Sequence, residues 1–107
     1  MSWRDTTLTI LSGATESAEL NLAADGTRWG KDLVFFSPGT LPETVKVHLA
    51  RVVGGTYAIL EVGGSDVALV ANKAQLLTGL AAGALKLVAT GAVAANRVFT
   101  IQGVAKK

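Results

Sequence analysis

The chain reads as an all-β protein, an antiparallel β-sandwich of about eight short strands in a single domain, residues 1–107. Three observations predict this. Apolar and polar residues alternate with a period of two through "ETVKVHLARVVGGTYAILEVGGSDVALV", residues 43–70. Glycine pairs, Gly54-Gly55 and Gly63-Gly64, cut that stretch at hairpin spacing. No long segment carries a helical period. At 107 residues the chain can bury a core without a disulfide or a metal.

Taken in order, residues 1–5 form a short N-terminal arm, and Thr6 to Leu11 then places Leu8 and Ile10 on one strand face. "SGATES", 12–17, is a turn, since Gly13 accepts a positive φ and the hydroxyls can bond local backbone. Ala18, Leu20 and Leu22 share the next face, and "AADGTRWGKD", 23–32, reads as a long loop. "DLVFFS", 32–37, is an apolar run expected to be central and buried on both sides, stopped by Pro38 and Pro42, which cannot donate to a ladder. Glu43 to Arg51 turns Val45, Val47 and Leu49 inward and Lys46 and His48 outward. Hairpins through the two glycine pairs then lead into Tyr57–Val62 and Asp66–Val70. The stretch 72–80, "NKAQLLTGL", is the one place for a short helix, capped by Asn72 and ended by Gly79, though it reads equally as an irregular loop. Two strands carrying Leu85, Leu87 and Phe99, Ile101 complete the sheet set.

Composition narrows the function classes. Charged residues make up 17% of the chain, below the roughly 25% usual for soluble domains, so the surface is neutral and suited to packing against neighbours. A net charge of +2, with no basic run beyond Lys106-Lys107, does not point to nucleic acid. Without cysteine there are no disulfides, thiolate zinc sites or cysteine nucleophiles. The opening residues lack a secretory apolar region, and "AQLLTGLAAGALKLVATGAVAA" is too interrupted by glycine and Lys86 for a membrane span, which needs about 20 largely apolar residues.

Convergent chemistry is scarce. His48, the one histidine, sits beside Lys46 on the polar side of its strand and reads as part of a solvated face. Glu16, Glu19, Asp25 and Asp32 lie in or near two loops. Paired acids can hydrolyse a glycoside and Asp25 with Asp32 could help bind calcium, but neither motif spacing is present. The glycine pairs do not open helices, so they are not phosphate cradles. Trp29 stands between Arg28 and Lys31 in a polar segment. It either folds back to plug the end of the sandwich or contacts another protein, and Trp3 beside Arg4 invites the same two readings.

The stretches "LTILSGATESAELNL", "LVFFSPGTLPETVKVHL", "GGTYAILEVGGSDVALV" and "LAAGALKLVATGAVAANRVFTIQGV" together resemble a group of small virion proteins of tailed bacteriophages. The resemblance spans nearly the whole chain and departs from the pattern at "AADGTRWGKD". It implies a β-sandwich that decorates or cements a capsid, or holds a head or tail accessory position, on the virion after synthesis in the host cytoplasm. It carries over no catalytic residue and no cofactor. The expected partners are the major capsid protein or other virion proteins and further copies of the chain, with neither nucleic acid nor membrane. The expected contacts are Trp3, Arg4, Arg28, Trp29 and Lys31. The alternative is a carbohydrate- or receptor-binding module of a fibre, whose aromatic candidates are Trp3, Trp29 and Tyr57.

Chelation is expected to leave the melting temperature unchanged. A fall in EDTA that calcium restores would instead make Asp25 and Asp32 ligands.

Overall fold

The computed structural model describes the backbone of residues 3–22, 28–78 and 82–106, and within these the side chains of 5–22, 32–78 and 82–103. The strands are β1 (Trp3–Ile10), β2 (Leu20–Asn21), β3 (Arg28–Phe36), β4 (Val45–Ala50), β5 (Tyr57–Ile59), β6 (Glu61–Val62), β7 (Ser65–Asp66), β8 (Ala68–Leu69), β9 (Ala74–Leu77), β10 (Ala84–Ala89) and β11 (Arg97–Lys106). No helix occurs among the described residues. All pairings are antiparallel.

Two sheets form the body. One has the order β1-β11-β3-β9; the other has the order β2-β10-β4-β5, with β8 also on β4. The pleat sends alternate side chains to opposite faces, and the inner rows meet in one core. Leu8, Ile10, Leu33, Phe35, Phe99 and Ile101 come from the four-stranded sheet, and Val45, Val47, Leu69, Leu85 and Leu87 from the other. The bidentate pair of Arg97 Nε and Nη2 with Glu43 Oε1 and Oε2, 3.0 and 3.1 Å, links the start of β11 to the segment before β4. It therefore ties one sheet to the other at one end.

Segment 13–22 closes the free edge of β10. Ala89 N–H donates to Thr15 O (2.7 Å), Ser17 N–H to Leu87 O (2.9 Å) and Leu22 N–H to Gly83 O (2.9 Å). Leu87 N–H donates to Ser17 Oγ (3.0 Å), so the hydroxyl stands in for a missing carbonyl. Ser17 is buried as a result. Gly83 belongs here because Arg51 O would lie 2.3 Å from a Cβ at that position.

On the other edge of β4 the chain makes a junction. β5 leaves at Leu60, whose N–H donates to Val47 O (2.9 Å). Val67 returns its N–H to Leu60 O (2.9 Å) and accepts from Val47 N–H (3.1 Å), after which β8 rejoins β4. Between them β6 and β7 form a separate two-stranded hairpin. Gly63 and Gly64 both have positive φ, 63° and 86°, as a two-residue type I′ turn requires. The stretch read as one strand, Tyr57–Val62, is thus two.

Four further expectations change. Residues 74–77 are an edge strand on β3, and Asn72 adopts a left-handed turn (φ 58°) instead of a helix cap. Two turns of isolated helix are marginal, whereas β3 offers a ladder of backbone partners; Gly79 and Leu80 lie outside the described residues. Trp3 to Asp5 belong to β1, because β11 runs on far enough to pair with them; Met1 and Ser2 lie outside the description. Arg28 to Asp32 belong to β3, paired through Ala105 and Lys106 beyond a bulge. Finally, β3 is internal to its sheet but buried on one face only: Leu33 and Phe35 are in the core, while Phe36 is 40% exposed because the described fold has two layers.

Phe99→Ala removes a fully buried ring from the middle of the core and is expected to cost about 3–5 kcal/mol in urea unfolding. Val98→Ala, the next residue on the outer face, should cost about 0.5 kcal/mol or less.

Candidate functional site

The two outer faces of the sandwich differ in character. On the five-stranded sheet, Lys46 and His48 of β4 and Lys86 of β10 point away from the core, and His48 and Lys86 are register partners. Lys46 Nζ bonds Asp66 Oδ2 of β7 (2.9 Å), which fastens the small hairpin to β4. Lys86 Nζ bonds Glu16 Oε1 (3.2 Å) and lies 4.9 Å from the centre of the Tyr57 ring, a cation–π contact. Glu19 Oε2 accepts from the Tyr57 hydroxyl and from Gly54 N–H (2.9 Å).

The protonation behaviour follows from these contacts. The Tyr57 hydroxyl and then Gly54 N–H hold the Glu19 carboxyl below its ordinary range; burial opposes them, and the charge of Lys86, the smallest effect, adds to them. Burial first, and then the Glu19 carboxylate, push the Tyr57 phenol well above its ordinary range. Burial lowers His48; Glu16 and Asp66 partly oppose that, and Lys46 adds to it. The hydrogen bonds of Arg97 hold Glu43 low. Tyr57 is no phenolate base, and Glu19 and Lys86 each hold two partners. What this cluster does is bond to itself. It ties residues 16–19, the Gly54–Tyr57 turn and β10 together.

The outer face of the four-stranded sheet is different. Its rows in register are Thr9–Val98, Thr7–Thr100–Phe36–Ala74 and Asp5–Gln102–Val34–Leu76. Phe36, Leu76 and Val98 are 40%, 61% and 47% exposed, and Asp5 is the one charged residue in these rows. This is the neutral surface that the composition implied.

Of the five expected contact residues, Trp3 and Arg4 lie on β1, and Arg28, Trp29 and Lys31 on β3. Their side chains lie outside the described residues. Their backbones are brought to the same end of the four-stranded sheet: Trp3 is opposite Val104 and Arg4 opposite Gly103, while Trp29 is opposite Ala105 and Arg28 opposite Lys106. His48 sits on the polar outer face, as its alternation suggested. Asp25 is not among the described residues, and among those that are, no three His, Cys, Asp or Glu side chains are placed to hold a metal.

The fold has a solved counterpart. The chain is similar to the SPBc2 prophage-derived protein YomS, at a TM-score of 0.61 and 15% identity, over 99% of this chain and 96% of that one. No protein-family model and no curated protein matches the chain. The YomS likeness takes in nearly the full length of both chains, so it is a likeness of fold rather than of a single hairpin.

The Glu19–Tyr57–Lys86 tie was not read from the sequence. A signal did exist. Tyr57 heads a strand just after a glycine pair, and Lys86 interrupts "ALKLVA" at an outward position; a phenol and an ammonium on neighbouring outer rows seek an acid.

Glu19 and Glu43 have depressed pKa values in the fold, so the stability they add is present above the unfolded carboxylate range, about 4.3, and is lost as pH falls through their folded values. Tyr57→Phe removes the donor to Glu19. It is expected to unfold at lower urea than the parent at pH 7, with the gap narrowing toward pH 3 as Glu19 protonates in both proteins.

Proposed function

We propose that the protein is a structural component of a tailed-phage virion that binds the outside of the capsid and stabilises it, as a decoration or cement protein. The observation that carries this reading is the end-to-end likeness in fold to a prophage-derived protein. It accords with the resemblance of the sequence to small virion proteins. The neutral outer face of the four-stranded sheet, with Phe36, Leu76 and Val98 exposed, suits a chain that works by packing against others.

The partners are the major capsid protein or other virion proteins, together with further copies of the chain; no enzyme chemistry, cofactor, nucleic acid or membrane enters. The contacts are Trp3, Arg4, Arg28, Trp29 and Lys31. Each can be weak, because a symmetric shell presents many sites and raises the effective concentration of the next contact. The carbohydrate-binding alternative has less support: the Tyr57 hydroxyl is engaged by Glu19 and its ring by Lys86, so it offers no open sugar platform.

Cosedimentation with heads of the encoding phage tests the proposal. Burying a tryptophan at the centre of an interface is worth about 2 kcal/mol or more. Trp29→Ala is therefore expected to weaken attachment roughly thirtyfold, with the circular dichroism of the free protein unchanged. Normal decoration by the variant would remove Trp29 from the contact, and unfolding would make it a core residue.

A further inference from the structure

On the outer face of the four-stranded sheet, Thr100 of β11 is opposite Phe36 of β3, and Val34 of β3 is opposite Leu76 of β9. Val98 is two residues from Thr100, and Val34 two residues from Phe36, so Val98, Phe36 and Leu76 are successive diagonal neighbours. They form one exposed apolar stripe across three adjacent strands, with Phe36 in the middle. Val52 and Val53, also exposed, lie in a turn and belong to no such row.

Charge avoids the stripe. Thr7, Thr9, Thr100 and Ala74 share its rows, and the one charge in them, Asp5, is on β1, at the opposite edge of the sheet from Leu76. The outer face of the other sheet, by contrast, carries Lys46, His48 and Lys86. In a two-fold dimer both subunits supply the same patch, so a charge inside it would meet its like. A partner of different sequence puts no such ban on charge, because it can present the opposite sign. The neutrality of the stripe therefore fits a second copy of the chain better than any other occupant.

We infer that two copies of this protein pack outer face to outer face through the stripe of Val98, Phe36 and Leu76. The inference deepens the function proposed above, naming the face by which copies meet, and rests on it for the setting of that meeting. A two-fold axis near Phe36 sets the ring against its copy and Val98 against Leu76 or against itself, so apolar group meets apolar group in either case. Four strands about 4.8 Å apart and five residues of about 3.4 Å make a patch of roughly 19 by 17 Å. That is a few hundred Å² from each subunit, against about 800 Å² per partner in a standard interface. The pairing is thus weak and concentration-dependent, and a shell that holds copies close together would favour it through effective concentration.

Sedimentation equilibrium of the full chain between about 1 µM and about 1 mM tests this. The expected result is a reversible passage from monomer to dimer within that range. Phe36→Glu and Phe36→Lys, each alone, are expected to weaken the dimer roughly tenfold or more with circular dichroism unchanged, and an equal mixture of the two is expected to restore association. Leu76→Glu serves as a further variant should the Phe36 substitutions fail to fold, and Val53→Glu, in the turn, is expected to leave the dimer intact. A monomer throughout the range, or a dimer that survives both Phe36→Glu and Leu76→Glu, would overturn the inference. A mixture that stays monomeric would also overturn it, because the face would then meet a different surface of its copy. Heads decorated normally by a chain that never dimerises would sink this inference and leave the virion role standing. A dimer broken by these variants in a chain that ignores heads would do the reverse.

Discussion

The structure hangs on β11. Its residues Arg97 to Val104 pair with β1, and Thr100 to Lys106 pair with β3, so for much of its length its backbone is bonded on both flanks. β1 and β3 have no ladder with each other; they share a sheet because β11 stands between them. The same strand contributes Phe99 and Ile101 to the core and Arg97 to the clamp on Glu43. Backbone bonding, apolar burial and the main cross-sheet ion pair thus converge on ten residues.

The second sheet is built on the same logic with shorter pieces. β10 and β4 form its centre, and their outer edges are covered by short pieces: segment 13–22 with β2 on one side, β5 and β8 on the other. Short covers leave little continuous ladder for a foreign strand to join. Ser17 shows the principle at one atom, where a side-chain oxygen completes a ladder that the backbone leaves open. The polar tie of Glu19, Tyr57 and Lys86 then holds that cover in place from outside.

Much of this was legible in the sequence because it is local. Val45, Val47 and Leu49 alternate with Lys46 and His48, and a double glycine between strands specifies a hairpin wherever the rest of the chain lies. What escaped is long-range. Nothing near Arg28 to Asp32, with three charges and a glycine in five residues, announces a strand; it is one because Ala105 and Lys106 come alongside. "AQLL" suits a helix as well as a strand until β3 is known to have a vacant flank. The placing of Trp3 and Trp29 on opposite flanks of β11 depends on register between remote parts of the chain, which no local pattern encodes. The type of residue in the candidate contacts was readable, and the end of the sheet that their backbones share was not.

The pairing of β1 with β11 also governs how the molecule comes into being. β1 precedes every other described strand in the chain and β11 follows them all, so Leu8 has no ladder partner until β11 has been made. Closing so long a loop puts most of the entropic cost of folding before its reward, and chains of such high contact order fold slowly. The four-stranded sheet cannot form progressively during translation, as β3 and β9 alone make only a two-stranded ribbon. The nascent chain therefore carries exposed apolar β segments until β11 has emerged, a period in which chaperone capture and aggregation compete with its pairing.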